Sequence, residues 1–324
     1  MSIRTAVQSL VTPIVVTAFL AAGGAAVAEE AAKPAAAPDP QAEAQAAFAA
    51  ADRAAQTGPI DVKLRDQALF QLPAGFRFIP AGESARLLQA MGNTTGPSLL
   101  GMVVPGPDQG DAGWIVVMEY VEAGYIKDDD AREWNADELL QNLKDGTEAT
   151  NEERRKRGIG EMQVLGWIEP PRYDAAAHRL VWSASTKDKA DPGTAPHGVN
   201  YNTYALGREG YVSLNLVTDY ATIEKEKPVA QQLLAALKFN DGKKYSDFNS
   251  STDKVAEYGL AALIAGGAGA AALKVAKVGL LAKFGGKLIA LLIAFKKVVI
   301  VAALGVVGFL QKLFGGGKKK APTT

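Results

Sequence analysis

Residues 201–217 read YNTYALGREGYVSLNLV, two runs of strand character on either side of Gly207-Arg208-Glu209-Gly210. In 211–217, Val212, Leu214 and Leu216 fall on one side of an extended chain, the period of two that marks a strand with one buried face. A link this short between two such runs reads as a hairpin turn, so the strands pair antiparallel. An anion site at the turn, centred on Arg208, is the other reading of the same residues.

Working outward, residues 114–121 are apolar on both sides, which suits a central strand buried on each face. In 178–185, His178, Leu180 and Trp182 share one side of a half-buried strand. Further strands are expected at 61–69, 76–79, 101–104 and 161–168. Helices interrupt them. Asn135, with Glu138 three residues on, reads as a helix start; Leu139, Leu140 and Leu143 supply an apolar stripe, and Gly158 can end the helix. A second helix is expected over 228–238, with Pro228 in its first turn, and a shorter one over 81–90. Strands in runs with helices between them predict an α+β domain over 58–249, a mostly antiparallel sheet flanked by helices and covered on one face. By fold analogy alone, the order resembles photosystem oxygen-evolving subunit P and Mog1, sheets flanked by helices and used mainly for binding.

Both ends differ from this domain. Residues 1–28 read as a signal peptide: Arg4 is followed by the largely apolar run 10–27 and by Ala26-Val27-Ala28 ahead of Glu29. Residues 29–57, rich in Ala, Pro and acids, read as a mobile linker with helical character around 41–55. Residues 255–314 read as a membrane-associated hairpin or span, and 315–324 as a basic tail. In 288–310 the 15 Leu, Ile, Val and Phe residues favour insertion, but Lys296 and Lys297 sit near the middle. Each central lysine costs about 2.5–3.5 kcal/mol against about 0.3–0.6 kcal/mol returned per apolar residue, which is near balance. A hairpin, or an oligomer that shelters the lysines, fits as well as a lone span. Ala262, Gly266 and Ala270 recur at a spacing that lets helices approach closely in lipid, a route to homo-oligomers.

Charge follows the same division. The chain balances 35 basic against 35 acidic residues, yet from Val255 onward there are ten lysines and the single acid Glu257, leaving 25 basic and 34 acidic groups before it. An acidic body argues against nucleic acid as a partner, while a basic tail suits an anionic lipid bilayer. With no cysteine, disulfides, thiolate nucleophiles and cysteine-held zinc are excluded.

Asp128, Asp129 and Asp130 are the densest group of oxygen ligands, and hard cations want several oxygens converging. Adjacent residues of an extended chain point opposite ways, however, so a polar turn leading into the helix at Asn135 is the plainer reading. The aspartates together with His178 would serve a metal-assisted hydrolase; otherwise His178 is a ring at the edge of the core. His197, in the loop 191–198, reads as part of a solvated turn. The run 154–157, Arg-Arg-Lys-Arg, complements the dipole at a helix end. No nucleophile elbow, phosphate loop or dinucleotide fingerprint appears, and no cofactor is expected.

Several ordered segments are shared with one bacterial family: 124–131 (GYIKDDDA), 166–167 (GW), 171–174 (PRYD), 206–210 (LGREG), 245–248 (YSDF) and 253–260 (DKVAEYGL). Over roughly 60–313 the chain resembles the membrane-anchored family described as domain of unknown function twenty-one sixty-seven. The resemblance implies a signal peptide, an exported domain and a C-terminal membrane segment; it implies no reaction and no catalytic residue. Where that family often has tryptophan before Gly-Asn, this chain has Met91-Gly92-Asn93. The expectation is a non-enzymatic binding or scaffold domain at the periplasmic face of the inner membrane, with a protein partner among its possible ligands. A metal-assisted hydrolase and a membrane-shaping helical assembly are the alternatives.

Overall fold

The computed structural model describes residues 40–109, 112–156, 158–193 and 198–265. The expectations for 1–28, for His197 and for the apolar and basic stretch from 266 onward lie outside those residues.

Eight antiparallel strands, numbered along the chain, form the main sheet. In spatial order they are β1 (Gln56–Thr57), β4 (Phe76–Pro80), β5 (Leu99–Pro105), β6 (Ile115–Val121), β10 (Tyr211–Asp219), β9 (Gly198–Leu206), β8 (Arg179–Asp188) and β7 (Met162–Asp174). The hairpin read from the sequence is there. Tyr211 pairs with Leu206 and the ladder runs on to Asp219 and Gly198, while the turn closes with the Gly207 N–H donating to the Gly210 carbonyl at 2.8 Å. At the edge, β7 slips register three times along β8 and contains Pro170 and Pro171.

A second sheet has the order β11 (Leu237–Phe239), β3 (Ala68–Leu72), β2 (Ile60–Leu64). The expected single strand over 61–69 is thus two strands, broken at Arg65, whose φ of 56° lies in the left-handed region, with the Gln67 N–H bonded to the Leu64 carbonyl at 3.2 Å. A turn residue ended the run that hydropathy alone would have continued.

Helices cover both faces of the main sheet, not one as expected. Alternation explains it: in β6, Val116, Met118 and Tyr120 enter one core while Ile115 and Val117 enter another. On the first face the small sheet and the helix over Ile223–Ala235 bury Phe70, Trp114, Tyr201 and Leu233. On the second, α1 (Pro40–Ala54) and α2 (Ala81–Ala90) close over Ile79, Met102 and Ile115, and α3 (Ala136–Lys156) packs on β7. Part of the presumed linker is therefore structural, since Ala47 and Ala51 of α1 are fully buried. Small side chains on one stripe let that helix lie close to its neighbours.

The start of α3 follows its sequence: the Asn135 Oδ1 accepts from the Asp137 and Glu138 amides at 2.9 and 3.2 Å. Asn151, fully buried in the same helix, accepts from the Met162 N–H and donates to the Met162 carbonyl, both at 2.8 Å, so a side chain acts as a strand partner for β7. Arg154 and Arg155 serve the helix end, bonding the Gly160 carbonyl and Glu161. The helix expected at 228–238 instead is α4 (Ile223–Ala235), followed by strand β11. This helix begins about one turn earlier than expected, where the Thr222 carbonyl accepts from the Lys225 and Glu226 amides at 3.0 and 3.1 Å, and Pro228 lies inside it.

Residues 255–265, expected to belong to the membrane-associated stretch, also pack into this domain. Leu260, Leu263 and Ile264 are buried against Leu180, Trp182 and Tyr204, and 261–264 form the short helix α5 (Ala261–Ile264). Among the described residues, no helix is long and apolar enough to cross a membrane.

Candidate functional site

The three aspartates read as a possible ligand cluster serve three different ends. Asp128 accepts the Tyr173 hydroxyl at 2.8 Å. Asp129 is exposed, in a short 3-10 turn. Asp130 turns inward, its two oxygens accepting from the backbone amides of Leu260 and Ala261 at 3.2 and 3.0 Å, the first N–H groups of α5. Burial raises the Asp130 carboxyl above the usual range, and those two amides only partly oppose it. Among the described residues, no group of three His, Cys, Asp or Glu side chains is placed to hold a metal ion.

His178 does meet Asp128, through a third residue. It sits at the end of the β7–β8 turn with a φ of 51°, a strained setting for a side chain of its size. Its Nδ1 lies 3.3 Å from the Tyr173 hydroxyl oxygen. That hydroxyl has one proton and gives it to Asp128, so the imidazole donates from Nδ1. Burial, reinforced by the Asp128 carboxylate, holds the Tyr173 proton on far above the ordinary phenol range. The arrangement orders a ring and a carboxylate; it does not create a nucleophile.

Three rings continue from His178 in one stack. The imidazole faces Tyr245 at 4.2 Å between centroids, Tyr245 faces Tyr125 at 4.4 Å, and Tyr125 faces Phe248 at 3.8 Å. The Tyr245 hydroxyl donates to the Ile126 carbonyl at 2.7 Å, tying the stack to the chain that leads to Asp128.

Arg208 completes the site from the hairpin turn, and it is not an open anion receptor. Its Nε and one terminal nitrogen donate to both oxygens of Asp253 at 2.7 and 2.8 Å, a bidentate pair that holds the Asp253 carboxyl well below its usual range. Beyond Asp253, Tyr125 forms a parallel bridge with Val255, the Tyr125 N–H donating to the Lys254 carbonyl and the Ala256 N–H to the Tyr125 carbonyl. This close approach requires glycine at 124, with φ 91°, where a Cβ would lie 2.7 Å from the Lys254 carbonyl oxygen. At Gly259 a Cβ would lie 2.6 Å from the Asp130 carboxylate. Finally, the Tyr204 hydroxyl donates to the Leu263 carbonyl at 3.2 Å.

The result is a clamp. The turn at Arg208, the strand end at Tyr125, the Asp128–Asp130 turn and the β7–β8 turn together grip residues 245–264. Sequence reasoning picked out Asp128, Asp129, Asp130, Arg208 and His178 as binding candidates but missed Tyr125, Tyr173, Tyr245, Phe248 and Asp253. The signal was available: each missed residue lies in one of the segments that carry the family resemblance, and those segments converge here.

The fold and clamp define an α+β domain with an all-antiparallel main sheet whose final segment is fastened back onto it. Residues 55–307 match the family described as protein of unknown function DUF2167, and this chain belongs to that family. No curated protein is similar enough to count as a relative. Among solved structures, the cyanobacterial PsbP of Synechocystis sp. PCC 6803 is similar at 8% identity over 57% of this chain and 91% of its own, with a TM-score of 0.34. The Ran-binding protein Mog1p of Saccharomyces cerevisiae is similar at 12% identity over 60% of this chain and 100% of its own, with a TM-score of 0.33. A variant of Mog1 gives 12% identity over 56% of this chain and 96% of its own, with a TM-score of 0.31. Likeness at this level carries no argument about what the chain binds.

Proposed function

We propose that this protein is a membrane-held binding domain, non-enzymatic, displayed at the periplasmic face, with its own segment 245–264 fastened onto its sheet. The observation that carries this reading is the clamp on 245–264, the last stretch before the apolar run. A domain that only needed to be kept near lipid would be served by a loose linker. Here the approach to the tail is held by a bidentate ion pair, a strand bridge and a capped helix start. Asp129, exposed beside the clamp, and the half-exposed turn around Glu209 are the surfaces offered to a protein partner.

The hydrolase reading has less support, because Asp128, Asp129 and Asp130 diverge and His178 reaches Asp128 only through Tyr173. The test is fractionation of the full-length chain made in a bacterial host. The protein is expected in membranes after alkaline carbonate washing, with single cysteines introduced at Asp129 and Tyr220 labelled from the periplasm. Recovery as freely soluble protein with Met1 retained would overturn it.

A further inference from the structure

The second face of the main sheet is not covered evenly. The helices α1 and α2 close over β4, β5 and β6, and α3 with residues 256–264 closes over β7, β8 and part of β9. Between these two covers the inner strands turn from apolar to polar. Register defines the floor: Asn215 of β10 lies opposite Asn202 of β9, which lies opposite Trp182 of β8; in the next row Glu119 of β6 lies opposite Ser213, which lies opposite Tyr204. Asn200 shares the same side of β9 by the period of two. Glu119, Asn200, Ser213 and Asn215 are only half-buried, so the face stays reachable from solvent.

A central sheet face normally carries apolar side chains, and the opposite face of these strands does. The amides here are also poorly satisfied by one another. Asn215 donates to the Asn200 side chain at 3.3 Å, yet its own Oδ1 is sealed from water with no hydrogen-bond partner. Trp182, more than nine-tenths buried on the same face, has an indole N–H that makes no hydrogen bond of acceptable geometry. It approaches the Tyr204 hydroxyl only closely enough to offset slightly the rise that burial gives that phenol. A buried polar atom left in this condition is destabilising, so a partner that supplies the missing hydrogen bond is favoured.

The chemistry of the floor restricts that partner. On this side of β6, β9 and β10 there is no lysine or arginine, so nothing recommends a phosphate or carboxylate. Burial raises the Glu119 carboxyl above the usual carboxylate range, against the opposing effect of the Ser98 hydroxyl, which donates to it at 2.9 Å and so engages one of its oxygens already. The strands are central, with their backbone groups already paired, so an extended peptide cannot add by main-chain bonding. What remains is recognition by side-chain amides and hydroxyls over three adjacent strands, a width of about 10 Å.

We propose that this furrow binds a neutral saccharide through the side-chain amides of Asn200, Asn202 and Asn215 and the hydroxyls of Ser98 and Ser213. The proposal does not depend on where the domain is displayed or on how its tail is held. The test is calorimetric titration of the full-length protein, in detergent, with chitotriose, with maltotriose and with an uncharged blocked tripeptide. Saturable binding of at least one saccharide is expected, weakened tenfold or more in Asn215→Leu. Ser213→Val, a milder change at a half-exposed position, is expected to weaken it several-fold, and both variants must keep the wild-type circular dichroism spectrum; if Asn215→Leu fails this, Ser213→Val decides. No saturable heat with either sugar, equal binding by a folded variant, or binding of the peptide alone would overturn the proposal.

Discussion

Replacing Asp130 by alanine should open the clamp while leaving the sheet intact. The carboxylate accepts from the amides of Leu260 and Ala261, so the substitution strands two donors at a half-buried helix start. An unsatisfied buried donor costs about 1–3 kcal/mol, and the lower half of that range applies where water can partly reach. Against this, the variant is relieved of a carboxylate whose charge burial disfavours. The net loss is about 1.5–3 kcal/mol, assigned to local opening of residues 253–265. At about 1.4 kcal/mol per decade, opening becomes roughly 10- to 150-fold more frequent. Hydrogen exchange followed by mass spectrometry reads this directly, because exchange of folded amides tracks opening. Peptides containing 258–264 should exchange faster by that factor, while those from β6, β9 and β10 keep their protection. Trypsin should also cut sooner after Lys254, which is exposed in the gripped segment. If the variant folds and exchange of 258–264 stays within about twofold of wild type, the carboxylate is not what holds this segment.

Asn151→Ala should cost about 2–4 kcal/mol in urea unfolding with an unchanged slope, because both backbone groups of Met162 lose their partner inside the protein; a loss below about 1 kcal/mol would contradict the buried bridge. Glu119→Gln tests the furrow's carboxyl by pH. Burial places the folded-state value above the ordinary 4.5, so the stability linked to this group is full below 4.5 and is lost as pH rises through the folded value. The Gln variant should therefore melt higher than wild type at pH 7 and about equally at pH 4; a difference that does not change with pH would refute this.

The sequence revealed the sheet better than the site, for physical reasons. Val212, Leu214 and Leu216 announce their buried face because strand burial repeats every second residue, and the turn at 207–210 announces antiparallel pairing. Local chemistry also gave the start of α3, since Asn135 caps from its own position. Splitting of 61–69 was missed because Arg65 carries no turn signature although its backbone takes a left-handed conformation. The clamp was misread because its partners are distant in sequence: Arg208 looks free until Asp253 is brought to it, and Asp130 looks like a ligand until Leu260 and Ala261 arrive. Small residues misled in a different way. Ala47 and Ala51 read as linker and Ala262 as part of a stripe for helix contact in lipid, but in the fold all three are buried in close-packed surface of the domain.

The outer margin of β7 governs how neighbouring copies can meet. Pro170 and Pro171 have no N–H to offer, and the three register slips bend the strand out of any regular ladder. A second sheet approaching from that flank would find donors missing and spacing irregular, so β-sheet fusion stops before it can propagate. However densely such domains are crowded, contact along this margin has to run through side chains, which can separate again.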